Sequence, residues 1–187
     1  MRKQLILACK FTLVTTVVFG LLYPLAMTGL SYLLFPRQAA GSLIEKNGQV
    51  VGSRLIGQAF TADKYFHSRP SAAGAGYDAS SSGPSNLAPT NQALVDRVRG
   101  DVAKLQAENP GVPIPADLLT ASGSGLDPEI SPAAAEFQIP RVAKARGISV
   151  AVLRAAVARH TLGRTFSIFG EPRVNVLELN LELDEEN

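Results

Sequence analysis

The most pronounced pattern in the sequence is an apolar run near its N-terminus, over residues 11–35, in which no side chain carries a charge. Its large apolar residues recur on every side of a helix, so the run has no amphipathic stripe. At about 1.5 Å per residue, it exceeds the roughly 20 residues needed to cross a hydrocarbon core of about 30 Å. The pattern predicts one transmembrane helix over residues 11–35, with a short segment (1–10) before it and one domain (36–187) after it.

The charges around this run predict its orientation. Arg2, Lys3 and Lys10 precede it, and only Arg37 follows closely. Because positive charge accumulates on the cytoplasmic side of membrane helices, residues 1–10 are expected in the cytoplasm and the domain outside. A cleaved signal peptide is the alternative, but the apolar core of such a peptide usually spans only about 7 to 15 residues. The longer run favours a retained single-pass anchor.

Two residues inside the anchor, Gly20 and Pro24, interrupt the apolar pattern within one turn of each other. Together they would kink an isolated helix. A membrane tolerates such a kink best where neighbouring helices satisfy the freed backbone groups. Gly20 and Pro24 are therefore candidate packing positions against other membrane helices.

Beyond the anchor, the sequence predicts an α+β domain of short strands and several helices. The pair Asn47-Gly48 between two short apolar runs indicates a β-hairpin. A loop rich in Ser, Ala, Gly and Pro then extends to residue 91, and a second glycine-serine loop covers residues 120–128. Near the C-terminus, residues 174–183 alternate leucine with polar residues late in the segment, which predicts a strand with one buried face.

Helix starts are marked by capping residues. We expect one helix after Thr90 or Asn91 that runs to about residue 109, with an apolar face. A second starts at Ser131-Pro132 and ends at Gly147, with Pro140 either kinking it or beginning the next segment. A third starts after Ser149, with Val150, Leu153, Ala156 and Val157 turned inward.

Charge excludes one class of partner. After the anchor, 15 basic residues face 16 acidic ones, and no basic run is interleaved with aromatic residues, so nucleic-acid binding is not expected. The one charge run is acidic, at residues 184–186, and is predicted to be a solvated tail.

The sequence offers little for catalysis or for a bound cofactor. Ser122 and Ser124 lie among glycines but lack the G-x-S-x-G context of a nucleophile. The stretch GAGYDA (74–79) has the letters of a dinucleotide fingerprint without a strand before it.

The only histidines are His67 and His160 and the only cysteine is Cys9, too few for a usual zinc site. We predict no catalytic residue, no metal site and no cofactor bound through a recognisable motif.

The loop over residues 65–91 is the predicted site of contact with partner proteins outside the membrane. It combines adjacent aromatics and an arginine with prolines that limit the entropy lost on ordering, and tyrosine and arginine are enriched among interface hot spots. Packing in the domain's own core is the alternative for the two aromatics, whereas Arg69 is a cleaner probe because a long charged side chain is rarely buried unpaired. The candidate residues are Tyr65, Phe66, His67, Arg69, Asn86 and Asn91.

A set of short stretches, taken in order after the anchor, resembles one known family, the C subunit of the bacterial Kdp potassium-transporting P-type ATPase. Each stretch is common alone, but the ordered set is specific and spans nearly the whole chain. Ala88, Pro84 and Glu129 depart from the usual family residues. The stretches are GQAF (57–60), YFHSRPS (65–71), SNLAPTN (85–91), TASGSGLDP (120–128), Gln138 with RVA (141–143), and VNVL (174–177).

The resemblance implies an accessory, non-catalytic subunit in the bacterial inner membrane. Its implied partners are a potassium-channel-like subunit, a P-type ATPase subunit and the membrane lipid, and the chain lacks both a phosphorylation motif and a selectivity filter of its own. The family is described as a catalytic chaperone that raises the ATP affinity of the catalytic subunit, so ATP is implied through the family alone. The alternative function is an anchored extracytoplasmic ligand-binding domain or hydrolase.

Overall fold

The computed structural model describes residues 1–185 of the chain. The chain divides into two units, Met1–Val51 and a second that begins at Gly52, and each is described by itself. The first contains a long apolar helix and most of a β-hairpin, whose second strand ends at Ser53, and the second contains helices and short strands around a core. The predicted α+β class, with one N-terminal helix apolar enough to span a membrane, is confirmed.

The N-terminal helix runs from Arg2 to Leu34 and is long and apolar enough to cross a membrane. It consists of α1 (Arg2–Thr15), a π-helical stretch (Thr16–Leu22) and α2 (Tyr23–Leu34), and a short helix α3 (Pro36–Ala39) follows. Residues 2–10, which the sequence places before the span, continue the same helix.

The π-helical stretch ends at Leu22, two positions before Pro24. A proline cannot donate a backbone hydrogen bond, and its ring collides with the carbonyl four residues earlier, here that of Gly20. The amide of Tyr23 bonds instead to the carbonyl of Val18, five residues back. The hydrogen-bond ladder is thus offset by one residue before it reaches the proline.

The hairpin predicted from Asn47-Gly48 is confirmed. Strands β1 (Leu43–Lys46) and β2 (Gln49–Ser53) form a two-stranded sheet. Both turn residues are left-handed, with φ of 54° at Asn47 and 75° at Gly48. Two consecutive positive φ angles are what a two-residue hairpin turn needs, and Asn-Gly adopts them at least cost.

The second unit is built around helices α5 (Pro132–Arg146) and α6 (Val150–Arg159) and a three-stranded antiparallel sheet. The strand order is β3 (Glu129–Ile130), β5 (Arg173–Asn175) and β4 (Thr161–Leu162). Val174, in the central strand, lies opposite Ile130 on one side and Thr161 on the other. Buried side chains from these elements and from residues 176–185, near the C-terminus, form one apolar core. It includes Phe137, Ile139, Val142, Leu153, Val157, Val174, Leu179 and Leu183.

The helix caps follow the sequence prediction. Ser131 Oγ accepts a hydrogen bond from the amide of Ala134 at 3.0 Å, and Ser149 Oγ accepts one from Val152 at 3.3 Å. Pro140 lies within α5 without ending it, and Gly147 ends that helix with φ of 70°. Val150, expected to point inward, is instead 39% exposed, because the apolar core reaches only the later turns of α6.

Helix α4 (Gln92–Glu108) starts where predicted, and Asn91 Oδ1 accepts a hydrogen bond from the amide of Ala93 at 2.9 Å. Its apolar side is half-buried, and Leu105 packs against the core. A single 3₁₀ turn (Ala116–Leu118) buries Leu118. Within the described chain, residues 54–91 contain neither helix nor strand, so the irregular segment is longer than the predicted loop.

The prediction of a strand over residues 174–183 is wrong, because β5 ends at Asn175 and helix α7 (Val176–Glu185) follows at once. Asn175 Oδ1 accepts a hydrogen bond from the amide of Glu178 at 3.0 Å, which caps the helix. Leucines at every second position also lie four apart, as Leu179 and Leu183 do, and Val176 lies three positions before Leu179. Val176, Leu179 and Leu183 are accordingly buried on one helical face.

Candidate interface around residues 65–91

The start of the predicted interface is an extended segment held by two buried amide side chains. Asn180, on α7, accepts from the amide of Phe66 at 2.8 Å and donates to its carbonyl at 2.9 Å. Gln138, on α5, does the same for His67 at 2.8 and 3.0 Å. Both side chains belong to nearly inaccessible residues, at 1% and 2% exposure. They take the place of a neighbouring strand by satisfying buried backbone groups that have no sheet partner.

The two aromatic residues of this segment have internal partners. Phe66 is fully buried in the core, so in this structure it presents no surface to a partner. Tyr65 is half-buried, with its ring centroid 5.3 Å from that of Phe60. Its hydroxyl donates to Asp184 Oδ2 at 2.9 Å. The alternative for these aromatics, packing in the domain's own core, is therefore correct for Phe66, whereas Tyr65 is only half-buried.

Arg146 fixes Tyr65 and α7 together. Its side chain is 2% exposed and forms an ion pair with Asp184 at 2.8 Å. It also donates to the carbonyls of Lys64 and Leu183 and lies over the Tyr65 ring at 5.3 Å. Burial raises the pKa of the Asp184 carboxyl, but hydrogen bonds from Arg146 and Tyr65 outweigh that effect and hold it below its usual range.

The prediction that residues 184–186 form a solvated acidic tail is therefore wrong for Asp184, which is tied to Arg146 and Tyr65. Residue Glu186 lies outside the described part of the chain. An ion pair with a nearly inaccessible arginine replaces part of the solvation of this carboxylate, and without Asp184 the buried charge of Arg146 would lose its partner.

Arg141 forms a second tie between this segment and the helices. Its guanidinium pairs with Glu108 of α4 at 2.8 Å, and both side chains are largely buried, at 10% and 14% exposure. It also donates to the carbonyl of Tyr65 at 2.9 Å and to Gln138 Oε1 at 2.7 Å. One arginine thus connects α4, α5 and the extended segment through charge-assisted hydrogen bonds.

His67 lies in an environment that disfavours its charged form. Its ring Nε2 is 3.2 Å from the carbonyl oxygen of Ala62. Burial is the main cause that lowers the pKa of His67, and the nearby positive charges of Arg141 and Lys104 lower it further. The Ala62 carbonyl and Glu108 act in the opposite direction with less effect. The imidazole is thereby kept neutral to lower pH than usual.

Arg69 is also engaged inside the domain. Its guanidinium pairs with Asp127 at 2.9 Å, with the two side chains 25% and 28% exposed. The same group donates to the carbonyl oxygen and the hydroxyl of Thr120, at 3.3 and 3.2 Å. These bonds join the loop over residues 65–91 to the glycine-serine loop over 120–128, so Arg69 has a structural partner of its own.

A cleft of about 250 Å³ opens between residues 60–77 and α4. Most of the charges along it are already matched, since Arg69 pairs with Asp127 and Glu108 pairs with Arg141. Its volume lies below the roughly 300 to 1,000 Å³ that is usual for pockets that take drug-sized ligands. The lining residues include Phe60, His67, Arg69, Tyr77, Lys104 and Glu108.

Tyr65, Phe66, His67 and Arg69 lie in the one segment that the contacts above hold against the domain. The other two candidates, Asn86 and Asn91, lie outside that segment. Asn86 is exposed and left-handed, with φ of 53°. Asn91 is exposed and caps α4. That the loop contacts another protein stays a prediction, with Tyr65, His67, Arg69, Asn86 and Asn91 the members that keep accessible surface.

The other sequence motifs lie in turns. Ser122 Oγ is 3.4 Å from Ser124 Oγ, and Ser124 Oγ accepts a hydrogen bond from the amide of Leu126 at 3.1 Å. The stretch 74–79 is irregular and follows no strand. Among residues 1–185, no group of three or more His, Cys, Asp or Glu side chains could hold a metal ion.

Sequence reasoning missed the residues that support the segment. Asn180 and Arg146 were not singled out, and Gln138 and Arg141 entered only through the resemblance. One signal was present: Asn180 is a polar residue among the leucines of 177–183, where a buried polar group needs specific partners.

Fold and site together define a membrane-associated protein with one candidate N-terminal transmembrane helix and an α+β domain braced by buried amides and arginines. A sequence model of the family described as "KdpC: K+-transporting ATPase, c chain" matches residues 5–185. The chain belongs to this family.

Relatives from several bacteria match along nearly their whole length, and each is described as "Potassium-transporting ATPase KdpC subunit". A protein of Koribacter versatilis is 60% identical, with 98% of this chain and 95% of the relative covered. A protein of Methylobacterium nodulans is 57% identical, with 99% of this chain and 96% of the relative covered. A protein of Acidobacterium capsulatum is 58% identical, with 95% of this chain and 96% of the relative covered. The sequence-based recognition of the family is confirmed.

Proposed function

We propose that this chain is an accessory subunit of an ATP-driven potassium uptake complex in the bacterial inner membrane. The observation that carries the proposal is the match to the family over residues 5–185, together with a helix able to span a membrane. Its proposed partners are a potassium-channel-like subunit and a P-type ATPase subunit. The N-terminal helix packs among the membrane helices of these two subunits. Residues 1–10 lie in the cytoplasm and the domain lies outside.

The proposed role is to stabilise the assembled complex and, as a catalytic chaperone, to raise the ATP affinity of the subunit that hydrolyses ATP. The proposal places no nucleotide on this chain, because the glycine-rich stretch 74–79 has the letters of a nucleotide motif without a strand before it. The effect on ATP affinity would then act through the catalytic subunit.

Co-purification tests the proposal directly. The tagged full chain is expressed with the other subunits and recovered in mild detergent, and the proposal expects a heteromeric complex with potassium-stimulated ATPase activity. Potassium-stimulated hydrolysis is then measured against ATP concentration with and without this chain, and the apparent affinity for ATP should fall in its absence. A chain that is recovered as a stable monomer with turnover of its own contradicts the proposal.

Thiol labelling tests the orientation. Ser81 and Cys9 are both exposed, so Ser81→Cys in a Cys9→Ser chain should react with a membrane-impermeant reagent once the outer barrier is opened. The chain with its native Cys9 is the matched control and should react only after lysis of the inner membrane. The reverse order of labelling contradicts the proposed topology.

A further inference from the structure

An exposed apolar turn lies between β4 and β5. Phe166 is 83% exposed, Ile168 71% and Phe169 65%, and these are the three most exposed large apolar side chains among residues 52–185. Single exposed apolar residues are ordinary, but a contiguous group of this kind marks a surface that contacts something else. We call Phe166, Ile168 and Phe169 the apolar tip.

The backbone holds the apolar tip in one conformation. Thr165 and Phe169 pair as an isolated antiparallel bridge, with both hydrogen bonds formed, at 2.8 and 2.9 Å. The amide of Ile168 also donates to the carbonyl of Thr165 at 3.2 Å. Just outside this bridge, Arg164 and Glu171 form an ion pair at 2.8 Å. The side chains are thus presented from a closed turn, which limits the entropy they lose on binding.

Two residues of this turn have a backbone conformation that side chains of their type disfavour. Phe166 and Ser167 both have positive φ, 52° and 61°, in a turn that usually carries asparagine and glycine. A bulky side chain with positive φ is uncommon and strained. Glycine at position 166 would relieve the strain but would remove the most exposed ring of the apolar tip.

The charges around the apolar tip are matched. Arg164 pairs with Glu171, and Arg173 pairs with Glu129 at 2.9 Å. Among the described residues, both arginines that flank the apolar tip in sequence are thus paired with carboxylates, which weakens their attraction for the anionic headgroups that strengthen attachment of a surface segment to lipid. A lipid surface also imposes no particular backbone conformation. An uncharged, shaped groove on a protein complements the apolar tip better.

The size of the apolar tip argues against a second copy of this chain as its occupant. Each of the two phenylalanines buries at most roughly 250 Å², and the smaller isoleucine adds less than that, so the apolar tip stays below the about 800 Å² that a stable interface of standard size needs from each partner. A contact of this size adds to an association that is already secured by other contacts, such as those of a shared membrane anchor.

We infer that the apolar tip inserts into an uncharged apolar groove on the extracytoplasmic side of another subunit of the potassium-transporting ATPase. This inference rests on the proposed function. It places the contact on Phe166, Ile168 and Phe169, outside the loop over residues 65–91, with the Arg164–Glu171 ion pair at the rim of the groove.

The first test compares recovery of the assembled complex. Phe166→Ser with Ile168→Ser, in the tagged full chain expressed with the other subunits, should lower recovery of those subunits at least about fivefold, since truncated interface anchors commonly cost more than that. The matched control is Leu55→Ser, at 61% exposure on the same domain, which should stay within about twofold of wild type.

Folding is checked in the same preparations. Because the replaced side chains are exposed, the double variant should keep the melting temperature and protease resistance of the wild type. Phe166→Gly gives a second variant that relieves the strained φ, so it should fold at least as well as the wild type and still lose recovery. Normal recovery with both variants overturns the inference. Failure of the wild type itself to recover the other subunits would instead contradict the proposed function.

The second test identifies the occupant. A fluorescent label at Ile168→Cys, in a Cys9→Ser chain, is followed in the assembled complex in lipid nanodiscs. Protection from a water-soluble quencher and from a lipid-attached quencher supports a protein groove. Quenching by the lipid-attached reagent shows insertion into lipid, and quenching by the water-soluble reagent shows an open surface, and either result overturns the inference.

Discussion

Asn180 and Phe66 lie 114 positions apart in the chain, yet the side chain of Asn180 satisfies both backbone groups of Phe66, at 2.8 and 2.9 Å. Both residues are essentially inaccessible, at 1% and 0% exposure, so water cannot take over either bond. This relationship joins α7 to the segment predicted to begin the interface and makes Asn180 a structural determinant of it.

Removing this pair of hydrogen bonds should be costly. Asn180→Ala leaves a buried N–H and a buried carbonyl unpaired, each at about 1–3 kcal/mol, so we expect a loss of roughly 2–6 kcal/mol in the free energy of unfolding. Chemical denaturation of the purified full chain in mild detergent measures it. The control is Gln106→Ala, an exposed position of α4, which should change stability by less than about 0.5 kcal/mol. Equal effects of the two variants would contradict the structural role.

Arg69 is expected to act within the domain. Arg69→Ala removes the ion pair with Asp127 and the bonds to Thr120. Because the pair is partly exposed, we expect a loss of only about 1–2 kcal/mol in the free energy of unfolding. Arg99→Ala is the matched control, since Arg99 is 74% exposed and lies 3.7 Å from Asp96, and it should cost less than about 0.5 kcal/mol.

The same two variants separate the roles proposed for Arg69. If Arg69→Ala leaves stability unchanged but lowers recovery of the other subunits, Arg69 is the interface contact that the sequence predicts. If recovery falls only in proportion to stability, its role is the tie between the two loops.

The lowered pKa of His67 predicts a pH dependence of stability. The unfolded chain takes up a proton near the ordinary pKa of about 6.5, whereas the folded chain resists it because of burial and Arg141. Stability should therefore be fully present above pH of about 6.5 and should fall as pH drops from there toward the lowered folded pKa. Melting temperatures measured at a series of pH values should fall less steeply for His67→Gln than for the wild type.

The Gln106→Ala variant is the control for this series and should keep the wild-type slope. An unchanged slope in His67→Gln would show that other groups cause the acid sensitivity. Carboxylates with lowered pKa, such as Asp184 and Glu182, should contribute only at lower pH, since their ordinary values lie near 4.

The anchor offers a test of helix packing. A side chain at Gly20 would meet only Thr16 Cγ2, at 3.7 Å, so Gly20→Leu should insert normally while blocking close approach of another helix. Recovery of the complex should fall. Gly29 is the matched control, because it has open space within 4 Å and lies on roughly the opposite side of the helix. Equal recovery for both variants would mean that Gly20 faces lipid.

Several elements could be predicted because their cause is local. The N-terminal apolar helix follows from composition alone, and the Asn47-Gly48 turn follows from the backbone preferences of two adjacent residues. Asn91, Ser131 and Ser149 cap helices because each side chain reaches an amide two or three positions away. No distant part of the chain is needed for any of these.

The sequence by itself thus determined the membrane-type helix, the α+β class and most helix starts, and its ordered motifs indicated the family. The tertiary structure decided that residues 176–185 are helical. The alternating leucines are compatible with the period of a strand and with that of a helix, and the helix buries Val176, Leu179 and Leu183 on one face. It also decided that Phe66 is core and that Arg69 is tied to Asp127. These outcomes depend on which residues meet across the fold, and hydrophobic periodicity contains no information about distant partners.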